Sequence, residues 1–152
     1  MSGDKGKSEF KRYSASIDRS KDAVSRILLT HIYIENLLER YISTKVKKAN
    51  KLFGKNGLSF IQKLNLVAAY GELTNQEYDS INKLNILRNN YAHEFEYEME
   101  PKILEDLGRT IGKNYKDFTD VCSDNDILLC RVLSYISGTI SRLAADAENG
   151  KT

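Results

Sequence analysis

The residues best suited to chemistry lie in one short run, Arg88-Asn89-Asn90-Tyr91-Ala92-His93. An arginine stabilises charge that develops on a phosphorane-like transition state. A histidine with a near-neutral pKa moves the proton of a 2′-hydroxyl or of a leaving oxygen. Asn89 can orient either group, and the set needs no metal. Arg88 falls on an apolar stripe (Tyr78, Ile81, Leu84, Arg88, Tyr91), where a charge must be paired or must line a cleft. His93 follows five residues later, about 140° around an ideal helix. The two side chains share a face only if the helix loosens at His93. They share a cleft only where two helical surfaces meet.

Arg26 and His31 repeat the R-x4-H spacing, but the residues between them, Ile27, Leu28, Leu29 and Thr30, are apolar except for Thr30. Without polar context the pattern reads as mid-helix core with a partly buried histidine. Glu35 lies four residues after His31, on or beside the same face. A buried Glu needs a partner, and Arg88 is the best candidate from sequence. That pair would either stabilise the fold or orient Arg88.

Several other chemistries are excluded. The chain has no GxxxxGK[ST] loop, no GxGxxG after a strand and no HExxH. With two histidines and two cysteines, a metal site would rest almost wholly on carboxylates, so no metal and no cofactor is expected. Cys122 and Cys130 make no disulfide framework and have no histidine at nucleophile spacing. No N-terminal apolar segment and no apolar run near membrane length stand out, so the expected address is a reducing cytoplasm without membrane attachment.

The elements that position the motif are helical. The 152 residues include a single proline, too little turn punctuation for a sandwich or barrel. Residues 1–16 are polar and aperiodic and read as a flexible arm, leaving 17–149 as one domain. Apolar residues recur at helical spacing from Val24 to Ile42, predicting a helix from about residue 18 to about 46. Asn50–Gly57 is a loop. Ser59 with Gln62, and Thr74 with Glu77, are capping boxes that open the second and third helices, and Gly71 suits the left-handed end of the second. Glu94–Glu100 alternates strictly, yet is short and solitary, so it reads as an extended connector. Pro101 opens a fourth helix whose stripe runs through Ile103, Leu104, Leu107, Ile111, Tyr115 and Phe118. Ser123 with Asp126 caps a fifth, and Gly138 in its middle marks a close helix approach. The fold class is an all-α bundle of four or five helices.

The net charge of +2 conceals a segregation. Residues 40–63 hold seven basic side chains and no acid, and Lys45, Lys47, Lys48, Lys51 and Lys55 are the candidates for contact with nucleic acid phosphates. The alternative is a solvated helix end. Residues 72–106 hold nine acids against three bases, and four of those acids (Glu94, Glu96, Glu98, Glu100) follow the motif directly.

Arg88–Glu94 (RNNYAHE) resembles the R-polar-x3-H signature of HEPN domains. The wider stretch Leu58–His93, with Ile34–Leu38 (IENLL) before it, is similar to the mannitol operon repressor (MltR-like) branch of that superfamily. The resemblance covers roughly residues 24–95. It implies an α-bundle, usually a homodimer with the two motifs facing each other. Active members are metal-independent endoribonucleases of toxin–antitoxin, phage-defence and RNA-processing systems. By motif, Arg88 would bind phosphate, Asn89 would be the polar second residue and His93 the catalytic histidine, with Glu35 and Tyr91 in support. Many HEPN toxins continue as H-x-Y, where a nucleotidyltransferase antitoxin modifies the tyrosine; here Phe95 stands at that position and Tyr97 two further on. Three functions follow as expectations: an RNA-cleaving dimer with a possible antitoxin or regulatory partner, a non-catalytic regulatory module, and a direct DNA-binding repressor.

Overall fold

A computed structural model describes residues 2–151, with side chains from residue 4 onward. The described residues form an all-α bundle of seven helices: α1 (Ser2–Arg19), α2 (Ala23–Lys45), α3 (Phe60–Ala69), α4 (Asn75–His93), α5 (Pro101–Arg109), α6 (Lys113–Val121) and α7 (Asn125–Glu148). A 3-10 turn, Ala49–Leu52, follows α2. The two longest helices, α2 and α7, pack along each other and form the axis of the core. Ile27, Ile34, Leu37, Leu38 and Ile42 of α2 meet Leu129, Val132, Leu133, Ile140 and Ala144 of α7 in one buried cluster. Helices α3 and α4 cover one side of α2, and α1 lies against both α2 and α7.

Both capping boxes are formed. Ser59 accepts from the Gln62 amide while the Gln62 side chain accepts from the Ser59 amide, and Thr74 and Glu77 do the same. Gly71 closes α3 at φ +84°, a conformation that only glycine adopts freely. Pro101 stands at the start of α5. The segment between Glu94 and Glu100 is a connector without strand, turned once where the Tyr97 amide donates to the Glu94 carbonyl.

Four sequence expectations need correction. Residues 2–16 of the expected arm are helical, because Phe10, Tyr13 and Ile17 sit one turn apart and pack inward. Tyr13 stacks on Tyr33 at 4.5 Å and shares hydrogen bonds with Thr30 and Ser137. The helix expected from residue 18 starts at Ala23, where Asp22 caps it by accepting from the Ser25 amide. The fourth helix is two, α5 and α6, folded back at Gly112, whose φ is +66°. Gly108 makes that reversal possible: a Cβ there would stand 2.3 Å from the Tyr115 ring. The last helix is capped by Asp124, which accepts from the amides of Asp126 and Ile127, and not by Ser123 with Asp126.

Gly138 lies under Phe10 of α1, but at 3.6 Å from its ring a Cβ would make ordinary contact, so the approach does not demand glycine. By length and composition α7 is long and apolar enough to cross a membrane, which the sequence reading overlooked. Half of its most apolar window is buried, and ten of its residues are buried, as a bundle's central helix requires.

Candidate functional site

Helix α4 carries the motif and is held by its neighbours one turn earlier. The Asn85 side-chain oxygen lies 2.9 Å from the His31 Nε2, tying α4 to α2. The His31 ring stacks on Phe60 of α3 at 4.0 Å. Burial pushes the His31 pKa down; the Asn85 hydrogen bond works against this, and the positive charge of Arg88 adds to it. His31 is therefore neutral at pH 7, and the arginine stands within electrostatic reach of it.

Arg88 is half-buried. Its Nη1 donates to the Asn89 Oδ1 at 3.2 Å, so Asn89 does orient the guanidinium. Its Nε is buried with no hydrogen-bond partner. Among the described residues, no carboxylate stands within salt-bridge distance of it. The expected Glu35–Arg88 pair is thus absent, and Glu35 is committed elsewhere. Glu35 and Glu39, one turn apart on α2, each accept from the Lys63 Nζ at 2.7 Å. Lys63 is the most buried lysine described, its side chain only 5% exposed. Burial alone would lower its pKa, but the hydrogen bonds to Glu35 and Glu39 outweigh that and raise it, so the ammonium stays charged. Sequence reasoning missed this clamp. The signal was present: Lys63 falls on the inward stripe of α3 with Phe60, Leu64 and Val67, facing two glutamates at i, i+4.

His93 is exposed and ends α4, which remains α-helical to that residue. The helix does not loosen, so Arg88 and His93 stay about 140° apart and do not converge within one chain. Tyr91 has another task. Its ring meets Tyr97 edge-on at 4.8 Å, and its hydroxyl is hydrogen-bonded to the Met99 backbone. Burial, then Tyr97, raises its pKa. Tyr91 thereby pins the acidic connector to the end of α4.

The basic block is smaller in space than in sequence. Arg40 is bridged to Glu9 and Glu148, both at 2.6 Å, and Lys45 to Glu72 at 2.9 Å. With Lys63 clamped, Lys47, Lys48, Lys51 and Lys55 are left exposed and outside any salt bridge among the described residues. They lie beyond the C-terminal end of α2, whereas the charge of Asp22, at its N-terminal end, bears on Tyr91. His31, level with the motif helix, is 14 residues from Lys45, about 21 Å at 1.5 Å per residue. The lysines and the motif therefore occupy different stretches of the bundle, and the acidic connector is the motif's immediate neighbour.

The second R-x4-H pair is structural. Arg26 is buried; its Nε donates to the Ile17 carbonyl at 3.1 Å and its Nη2 to the Ser20 carbonyl at 2.7 Å. Both carbonyls belong to the end of α1, where the Ile17 carbonyl also accepts from the Ser20 amide at 3.2 Å. Cys130 is buried and burial raises its thiol pKa, leaving it protonated. No cluster of three or more His, Cys, Asp or Glu side chains suited to a metal exists among the described residues. Set against protein-family models, curated proteins and solved structures, the chain matches none.

Proposed function

We propose that this protein is a metal-independent endoribonuclease of the HEPN type that works as a homodimer. The observation that carries the proposal is the state of Arg88: a half-buried cation with an orphaned Nε and no carboxylate partner. A charge that the fold does not neutralise is suited to an anion, and a guanidinium presents a fork that matches a phosphodiester. Asn89 orients that fork. His93 is exposed, and on the regular helix it lies about 140° around from the arginine of its own chain. A second copy would bring a histidine to each arginine, which is the arrangement the HEPN resemblance implies. Mechanistically, Arg88 would hold the scissile phosphate and stabilise its added charge. His93 would move the proton of the 2′-hydroxyl or of the departing 5′-oxygen.

The test is cleavage of single-stranded RNA in EDTA by wild type, Arg88→Ala and His93→Ala. Wild type should cleave, and His93→Ala should be slower by about 10²–10⁴-fold, the usual worth of a positioned acid or base. Equal loss of RNA with all three proteins, or with none, refutes the proposal.

One observation favours a second reading, a non-catalytic MltR-like regulatory module that docks a partner protein. Phe95 is fully exposed in the middle of the acidic connector, as a recognition element would be. A chain that does not cleave RNA yet loses a defined protein partner on Phe95→Ser would establish it.

A further inference from the structure

Helix α1 and the C-terminal half of α7 enclose a groove of about 500 Å³. Its floor is apolar, formed by Phe10 and Ala145, and its rim carries Lys7, Lys11, Arg142 and Lys151. All four cations are exposed, and none has a salt-bridge partner among the described residues. A single acid, Asp146, faces them. Such a groove fits an extended segment that alternates acidic and large apolar side chains: carboxylates meet the rim and a ring enters the floor.

The chain contains such a segment. Glu94–Glu100 reads EFEYEME, none of its four glutamates forms a salt bridge among the described residues, and Phe95 is fully exposed. It cannot reach the groove of its own chain. The connector is anchored at the α4 end by Tyr91 and Tyr97, beside the N-terminus of α2. The groove belongs to the other end, where Arg40 joins α1 to α7 through Glu9 and Glu148. From Asp22 to Arg40 is 18 residues of α2, about 27 Å.

We infer that the acidic connector of one copy docks in the α1–α7 groove of a second copy, with Phe95 on the apolar floor. The contact joins different surfaces, so it is heterologous, and it extends an assembly instead of pairing the motifs face to face. It uses neither Arg88 nor His93 and stands or falls apart from the nuclease proposal.

A charge swap tests it by sedimentation. One variant carries Lys7→Glu, Lys11→Glu and Arg142→Glu; the other carries Glu94→Lys, Glu96→Lys and Glu98→Lys. Wild type should grow in mass with concentration, and that growth should weaken at least about tenfold when salt rises from low to high, since exposed charges are screened. Each variant alone should lose the growth while keeping its helical spectrum, and an equimolar mixture should regain it. Phe95→Ser should weaken it in the wild-type background. Growth that persists in either variant, or that the mixture does not restore, overturns the inference. So does a groove variant that loses RNA binding while wild type never associates, because the cations would then serve nucleic acid.

Discussion

Two stretches of this chain share one spacing and meet opposite fates. Arg26 and His31 are buried and tied into the fold: the arginine donates from Nε and Nη2 to carbonyls of α1, its Nη1 has no hydrogen bond but stands 3.3 Å from the Asp126 carboxylate, and the histidine is bonded to Asn85. Arg88 is half-buried with an orphaned Nε, and His93 is exposed. The R-x4-H pattern is identical, so the pattern cannot be what decides. What decides is which side chains the packing brings within hydrogen-bond range. The first pair is consumed in joining α1, α2 and α4. The second is left over after the fold is complete, and polar groups left over are candidates for a ligand.

The contrast can be broken at several points. The largest effect should come from Arg26→Met. It strips two charge-assisted hydrogen bonds from the end of α1 and should lower stability by about 3 kcal/mol in denaturant unfolding. The ion pair of Arg26 with Asp126, at 3.3 Å, contributes little to that, because Asp126 is 70% exposed. A loss no larger than that of an ordinary surface substitution would mean that α1 is not held as described.

Next comes the clamp that takes Glu35 away from Arg88. Lys63→Met leaves two facing carboxylates and should cost about 2 kcal/mol, less than a fully buried pair, since both glutamates are about one-third exposed. An unchanged unfolding midpoint would show Glu35 to be free to pair elsewhere.

A smaller effect concerns pH. His31 has a folded pKa below its ordinary value of 6.5, because of burial first. The unfolded chain therefore binds the proton more readily than the folded one, and stability is lost as pH falls below about 6.5. In His31→Gln that loss should be reduced. Parallel pH profiles for the two proteins would place His31 in contact with solvent.

The smallest effect is expected at the motif itself. Arg88→Gln removes an unpaired charge, and His93→Ala removes an exposed ring. Both should shift unfolding by no more than about 0.5 kcal/mol. A large destabilisation by Arg88→Gln would move that residue into the same class as Arg26.

The helices that bear caps were the most legible from sequence. Ser59/Gln62, Thr74/Glu77, Gly71 and Pro101 act locally, and a capping box does not depend on what packs above it. Helix α1 was illegible for the opposite reason. It is polar, carries only Phe10, Tyr13 and Ile17 inward, and is held from outside by Arg26 and by Tyr33 of α2. The α5–α6 reversal was hidden because the apolar stripe continues in register across Gly112. At the site, α4 stays helical through His93, so the loosening that would carry His93 onto the face of Arg88 does not occur. The partner of Glu35 was misassigned, because Lys63 was counted among surface charges when its side chain is nearly buried.

The fold leaves the Arg88 Nε without a partner, and a phosphate can use it. The most direct measurement is the rate of RNA cleavage in EDTA by wild type and by Arg88→Gln, at equal fraction folded. A loss of about 10²–10³-fold is expected, the usual cost of removing one transition-state donor. A variant that cleaves at the wild-type rate would contradict it.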